Sequence, residues 1–154
     1  MEEDLALVRA VPDSFPEALV RGPRPHIDLD EARAQHGRYV RTLVDAGYAV
    51  DVIATDENHP DCPFVEDVAV VLEHVAVVTR PGAASRRGEA EPVAASLAAH
   101  RTLRRIEPPG TLDGGDVLTI GDQCFVGRSA RSNADGIRQF ARFAAEDGRA
   151  TTPV

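Results

Sequence analysis

Carboxylates gather twice in this chain. Asp61-Cys62-Pro63-Phe64-Val65-Glu66-Asp67 carries three, and Leu112-Asp113-Gly114-Gly115-Asp116-Val117 carries two more. Each group runs into an apolar strand-like segment, Val68-Ala69-Val70-Val71 or Val117-Leu118-Thr119-Ile120. A carboxylate beside a buried segment is costly unless it meets a cation, a metal or a proton. Arginines recur at matching places: Arg86 follows the first hairpin-like stretch and Arg131 the second. A guanidinium is a planar fork of donors that matches a carboxylate at two points. Asp67 and Asp113 could therefore grip a guanidinium from two sides. Arg86 and Arg131 could take a carboxylate, and Asp61 could accept from an ammonium. The pattern suits a small amino acid with a cationic side chain.

The elements that must position these groups are legible from period and punctuation. Leu5 to Val11 is a short apolar run closed by Pro12, and reads as a buried strand. Ser14 to Pro25 is a loop. A helix is expected from Asp28 to Ala46, capped by Asp28 or Asp30 and stopped by Gly47, with Ala32, His36, Tyr39, Val40, Leu43 and Val44 on one face. Tyr48 to Ile53 follows as a strand, and Asn58 to Pro63 as a turn-rich loop. Phe64–Val71 and Val75–Thr79 read as a hairpin, so Glu66 and Asp67 should alternate to opposite faces of a strand. A second helix is expected within Arg87–His100, with Pro92 in its first turn. A strand at Leu103–Glu107 and a second hairpin, Leu112–Ile120 with Gln123–Gly127, come next. The chain then reads as a helix over Asn133–Glu146 and a strand from Ala150.

The layout repeats. Acids open a hairpin, an arginine closes it, and a helix leads to another strand, first from Glu66 and again from Gly115. A repeated supersecondary unit suggests an array that buries its core by stacking. No linker divides residues 1–154, so one domain is expected. The 154 residues are 43% apolar and carry a formal charge of -8. That balance argues against nucleic acid or an anionic membrane as the main partner. No run of about 18 apolar residues is present, and Met1-Glu2-Glu3-Asp4 is acidic where a signal peptide is basic. Two cysteines make no disulfide framework, and a reducing, cytoplasmic setting is expected.

Three blocks carry a specific resemblance. Phe64–Val71, Thr79-Arg80-Pro81-Gly82-Ala83-Ala84-Ser85-Arg86-Arg87 and Thr111–Leu118 are similar to the dimethylargininase (dimethylarginine dimethylaminohydrolase) family of guanidino-modifying enzymes. Ala6–Ser14 and Phe125–Asn133 resemble the same family, in the same order. The resemblance implies an α/β pentein fold, a propeller of five ββαβ-type units of which this chain holds about three. It implies hydrolysis of Nω-methylated arginine to citrulline and a methylamine, through a covalent bond to a cysteine. No cofactor or metal is implied. Carried over by position, Asp113 is the acidic member of the catalytic set. Glu66 and Asp67 stand on the guanidinium side, Asp61 at the α-amine, Arg86 and Arg131 around the carboxylate, and Leu19 in a loop over the ligand.

The family's acid–base histidine and nucleophilic cysteine fall beyond Val154, and neither Cys62 nor Cys124 occupies the nucleophile's place. The 154 residues by themselves are therefore expected to be inactive, and a C-terminal half or a second copy is the expected protein partner. An arginine deiminase-like hydrolase and a non-catalytic guanidino-binding protein remain as alternatives. Plainer readings stand beside these. Asp67 and Asp113 could cap turns, and Asp116 reads as a structural acceptor for backbone N–H groups. His59, Asp61 and Cys62 lack a zinc spacing. Cys124 reads as core, and Glu89-Ala90-Glu91 as a solvated face.

Overall fold

The computed structural model describes residues 4–154; the acidic Met1-Glu2-Glu3 lies outside them. The chain forms two compact units, one ending at Val65 and one running Glu66–Val154.

In the first unit, strands β1 (Leu5–Arg9) and β2 (Ala49–Ile53) pair in parallel, from Leu5 opposite Ala49 to Arg9 opposite Ile53. Parallel neighbours need a crossover, and helix α1 (Leu29–Asp45) supplies it. Asp28 caps α1 by accepting from the Glu31 N–H at 3.0 Å. Gly47, at φ +93°, takes the left-handed conformation that turns the chain into β2. The apolar face of α1 is narrower than its sequence suggests. Ala32, His36, Val40 and Leu43 are half-buried, whereas Tyr39 and Val44 are exposed. A two-stranded sheet is too narrow to cover the wider stripe.

The second unit contains the same topology twice. Strands β3 (Ala69–Val71) and β4 (Val75–Val78) are antiparallel, helix α3 (Ala90–Leu97) follows, and β5 (Thr102–Arg105) returns parallel to β4. Strands β6 (Val117–Ile120) and β7 (Gln123–Val126) are antiparallel, helix α4 (Ala134–Glu146) follows, and β8 (Ala150–Pro153) returns parallel to β7. An antiparallel bridge from Arg80 to Leu112 joins the two ββαβ units. β4 is buried along its length, as its unbroken Val-Ala-Val-Val run demands. Ile137, Phe140 and Ala144 of α4 pack with Leu112, Cys124 and Val126 in one core, so Cys124 is the core residue expected of it. Asn133 caps α4 through the Gly136 N–H at 2.8 Å. Pro92 stands in the first turn of α3.

One expected element is replaced. Phe64–Val71 is not a continuous strand: Val65–Val68 forms a helical turn, α2, and extended pairing begins only at Ala69. A chain of tight turns enters it, with the N–H groups of His59, Cys62 and Phe64 donating to Asp56, His59 and Asp61. That local bonding overrides the β propensity of the valines. Glu66 and Asp67 therefore sit on a helical turn and do not alternate across a strand. Likewise, Gly114–Asp116 is a 3-10 turn placed before β6, and another, Ala84–Glu89, precedes α3. Among the described residues no helix is long and apolar enough to cross a membrane.

Candidate functional site

The turn α2 brings Asp67 to the entry of β3, where Thr79 Oγ1 donates to its backbone carbonyl at 2.9 Å. Its side chain is met by Arg86, whose Nη1 donates to Asp67 Oδ2 at 2.7 Å. Arg86 is buried, and it also donates to Glu89: Nη2 to Oε2 at 2.8 Å, and Nε to Oε2 and Oε1 at 3.1 and 3.2 Å. Burial alone would weaken this cation. The bonds to Glu89 and Asp67 outweigh burial and hold it above the ordinary arginine range. Glu89, read as solvated from the sequence, is 1% exposed. The signal was present as an Arg–Glu pair three residues apart, one turn along the backbone.

The second acid is placed by Gly-Gly-Asp. Asp113 Oδ1 accepts from the Gly115 N–H at 2.9 Å, and the Asp113 N–H donates to Ser132 Oγ at 3.0 Å. Asp113 is 2% exposed. Burial pushes its carboxyl up, and the charge of Asp67 adds to that; the Gly115 N–H and Arg131 pull the other way. Arg131 lies 3.6 Å from Asp113 Oδ2 through Nη1, while its Nη2 donates to Asp116 Oδ1 at 2.8 Å. Asp116 also accepts from Ser129 Oγ at 2.6 Å and Ser132 Oγ at 2.7 Å. Burial would raise its carboxyl, but the two hydroxyls and Arg131 outweigh that and hold it low. Asp116 is thus a structural acceptor, of hydroxyl and guanidinium donors where backbone N–H groups were expected.

Asp67 and Asp113 converge on Gly115. A Cβ at Gly115 would lie 2.9 Å from Asp67 Oδ1 and 3.0 Å from Asp113 Oδ1, with Arg131 Nη2 at 3.9 Å. A side chain here would crowd both carboxylates and turn them aside. The arrangement is a pair of acids on one small patch of backbone, each faced by an arginine that a further acid holds in place. Glu66 is exposed beside them.

The remaining residues singled out in the sequence belong to the first unit. Both Asp61 oxygens accept from the Leu19 N–H at 3.1 Å. Asp61 is 7% exposed and the Leu19 side chain 57%. Arg24 Nη1 donates to the carbonyls of Pro16 and Ala18, which fixes the same loop. His59 Nδ1 pairs with Asp56 Oδ2 at 2.7 Å, and the buried Cys62 Sγ faces the Asp56 carbonyl at 3.9 Å. Among the described residues no group of acids, histidines and cysteines could hold a metal ion.

No family model matches the chain. Curated proteins do. The N(G),N(G)-dimethylarginine dimethylaminohydrolase of Streptomyces coelicolor is 41% identical over 141 residues, which is 90% of this chain and 55% of that protein. The protein of the same name from Pseudomonas aeruginosa is 40% identical over 114 residues, 73% of this chain and 45% of that one. The solved structure of a Pseudomonas aeruginosa variant complexed with citrulline superposes with a TM-score of 0.95 at 33% identity, covering 100% of this chain and 61% of that chain. This chain belongs to the dimethylarginine dimethylaminohydrolase family. It spans about half the length of the curated family members it matches. The N-terminal domain of a cyanobacterial arginine dihydrolase, ArgZ, shares the α/β fold more distantly, with a TM-score of 0.82 at 20% identity. Three of the family blocks read from the sequence, Phe64–Val71, Thr79–Arg87 and Thr111–Leu118, build the Asp67–Asp113 pair.

Proposed function

We propose that this chain carries guanidinium-gripping residues of a dimethylargininase-type hydrolase, which converts Nω-methylated arginine to citrulline and a methylamine. The carrying observation is the convergence of Asp67 and Asp113 on Gly115. Two carboxylates accept the N–H groups on two edges of a guanidinium, orient its central carbon and draw its charge. Asp113, raised by burial and by Asp67, is favoured in its ionised form by an added cation. Arg131, 45% exposed at its side chain, keeps a face for the substrate carboxylate. Arg86 is occupied with Glu89 and Asp67, so in this reading it serves the substrate through Asp67.

In the reaction a thiolate attacks the guanidinium carbon and the amine departs with a proton delivered by a histidine. Water then adds to the S-linked carbon, the C–S bond breaks, and citrulline and thiolate are released. The thiolate and the histidine are assigned to residues outside these 154. Cys124 is enclosed in the core, and Cys62 lies in a loop of the first unit. The same reading takes the whole chain as about three of five ββαβ-type units of one propeller domain. The two ββαβ units of residues 66–154 support it.

Calorimetric titration with Nω-methyl-L-arginine tests the reading. Saturable binding is expected, lost in Asp67→Asn and in Asp113→Asn, with no citrulline formed by the 154-residue chain alone. Absence of binding, or binding indifferent to both substitutions, would sink it.

A further inference from the structure

Each acid of the converging pair already has an arginine against it. A carboxylate neutralised by one guanidinium has little attraction left for a second. Yet both arginines are shared with another acid. Arg86 donates to Asp67 at 2.7 Å and to Glu89 at 2.8 Å; Arg131 faces Asp113 at 3.6 Å and donates to Asp116 at 2.8 Å. Glu89 is 1% exposed and Asp116 10% at its side chain, so neither is a stray surface charge. Both ββαβ units contain the same trio: an acid over Gly115, an arginine, and an anchoring acid. With all three ionised, each trio carries one net negative charge.

We propose that Glu89 and Asp116 are positioning and charge-balancing residues that give the site its preference for a cationic over a neutral side chain. They neutralise Arg86 and Arg131, so that Asp67 and Asp113 each keep one negative charge for the ligand. Glu89 also fixes Arg86 through two nitrogens, and Arg86 in turn fixes the free rotor of Asp67. Asp116 holds Arg131 through Nη2, and is itself held by Ser129 and Ser132. The inference rests on the guanidinium-site reading above.

The test compares two ligands of nearly the same shape, cationic L-arginine and neutral L-citrulline, on the 154-residue chain. Glu89→Gln keeps the size of the anchor and one acceptor oxygen and removes its charge. The ratio of arginine to citrulline affinity should fall on the order of tenfold, and Glu89→Asp should restore most of it. A residue needed only for packing would weaken both ligands equally, and an unchanged ratio overturns the proposal. If Glu89→Gln does not fold, Asp116→Asn asks the same question at the more exposed Arg131. If the unaltered chain binds neither ligand, the guanidinium-site reading fails and a denaturation cycle on Asp67→Asn and Glu89→Gln decides the rest. Sharing of Arg86 predicts that the double substitution costs more than the two singles together, because only then does the buried cation lose both acids. Additivity would overturn it.

Discussion

The carbonyl oxygen of Glu66 rests against the Cα of Gly114: a Cβ there would fall 1.9 Å from it. Backbone meets backbone at this point, and no rotamer change could relieve the clash. This contact seats the acid-bearing turn of the first ββαβ unit on the Gly-Gly-Asp turn of the second. Gly114→Ala should therefore cost about 3 kcal/mol or more, read as a lower midpoint in chemical denaturation. A stability within error of the unaltered chain would mean that the two turns are not in contact.

Asp113 should trade stability for function. Its carboxyl is raised in the fold, by burial first and then by the charge of Asp67. A raised acid is ionised less readily folded than unfolded, so its ionisation removes stability as the pH rises through the unfolded carboxylate range. Asp113→Asn should then raise the thermal midpoint near pH 7 while abolishing binding of methylated arginine. A fall in the midpoint would show that the ionised carboxylate is a net support of the turn.

Asp147 should act with the opposite sign. Its oxygens accept from the N–H groups of Glu73 and His74 at 2.9 and 2.7 Å and from Arg149 Nε at 3.1 Å, tying the β3–β4 turn to the end of α4. Burial would raise it, but the His74 N–H, Arg149 and the Glu73 N–H outweigh that and hold it low. Its stabilisation is present above the unfolded carboxylate range and is lost as the pH falls through the lower folded value. Acidification from pH 7 should lower the denaturation midpoint, and Asp147→Asn should flatten that slope. An unchanged slope would place the acid sensitivity elsewhere.

Phe140 is fully buried against Leu112, Cys124 and Val126 in the second unit. Phe140→Ala should cost about 3–5 kcal/mol, with the loss seen in both far-ultraviolet dichroism and ligand binding. A cost below about 1 kcal/mol would mean that α4 does not close this core.

Much of this was legible in the sequence. Asp28 announced its helix because caps are local chemistry, and the doubled ββαβ topology followed from two hairpin–helix–strand layouts in succession. The candidate acids were visible because charge sits where apolar segments begin. What could not be read was long-range. Asp67 and Asp113 are far apart in the chain, and only the Gly115 backbone shows that they share one patch. Glu89 looked like surface because its partner, Arg86, was expected to face a ligand. The helical turn at Val65–Val68 was hidden by valines, whose β preference yielded to the turns from Asp56 to Phe64.

The central claim is that a guanidinium sits between Asp67 and Asp113 over Gly115. The most direct measurement is a two-dimensional NMR titration of the ¹⁵N-labelled chain with Nω-methyl-L-arginine. The amides of Asp67, Asp113, Gly115 and Arg131 should shift together along one saturating curve, and those shifts should vanish in Asp67→Asn. Shifts confined to other residues, or none at saturating ligand, would contradict the account.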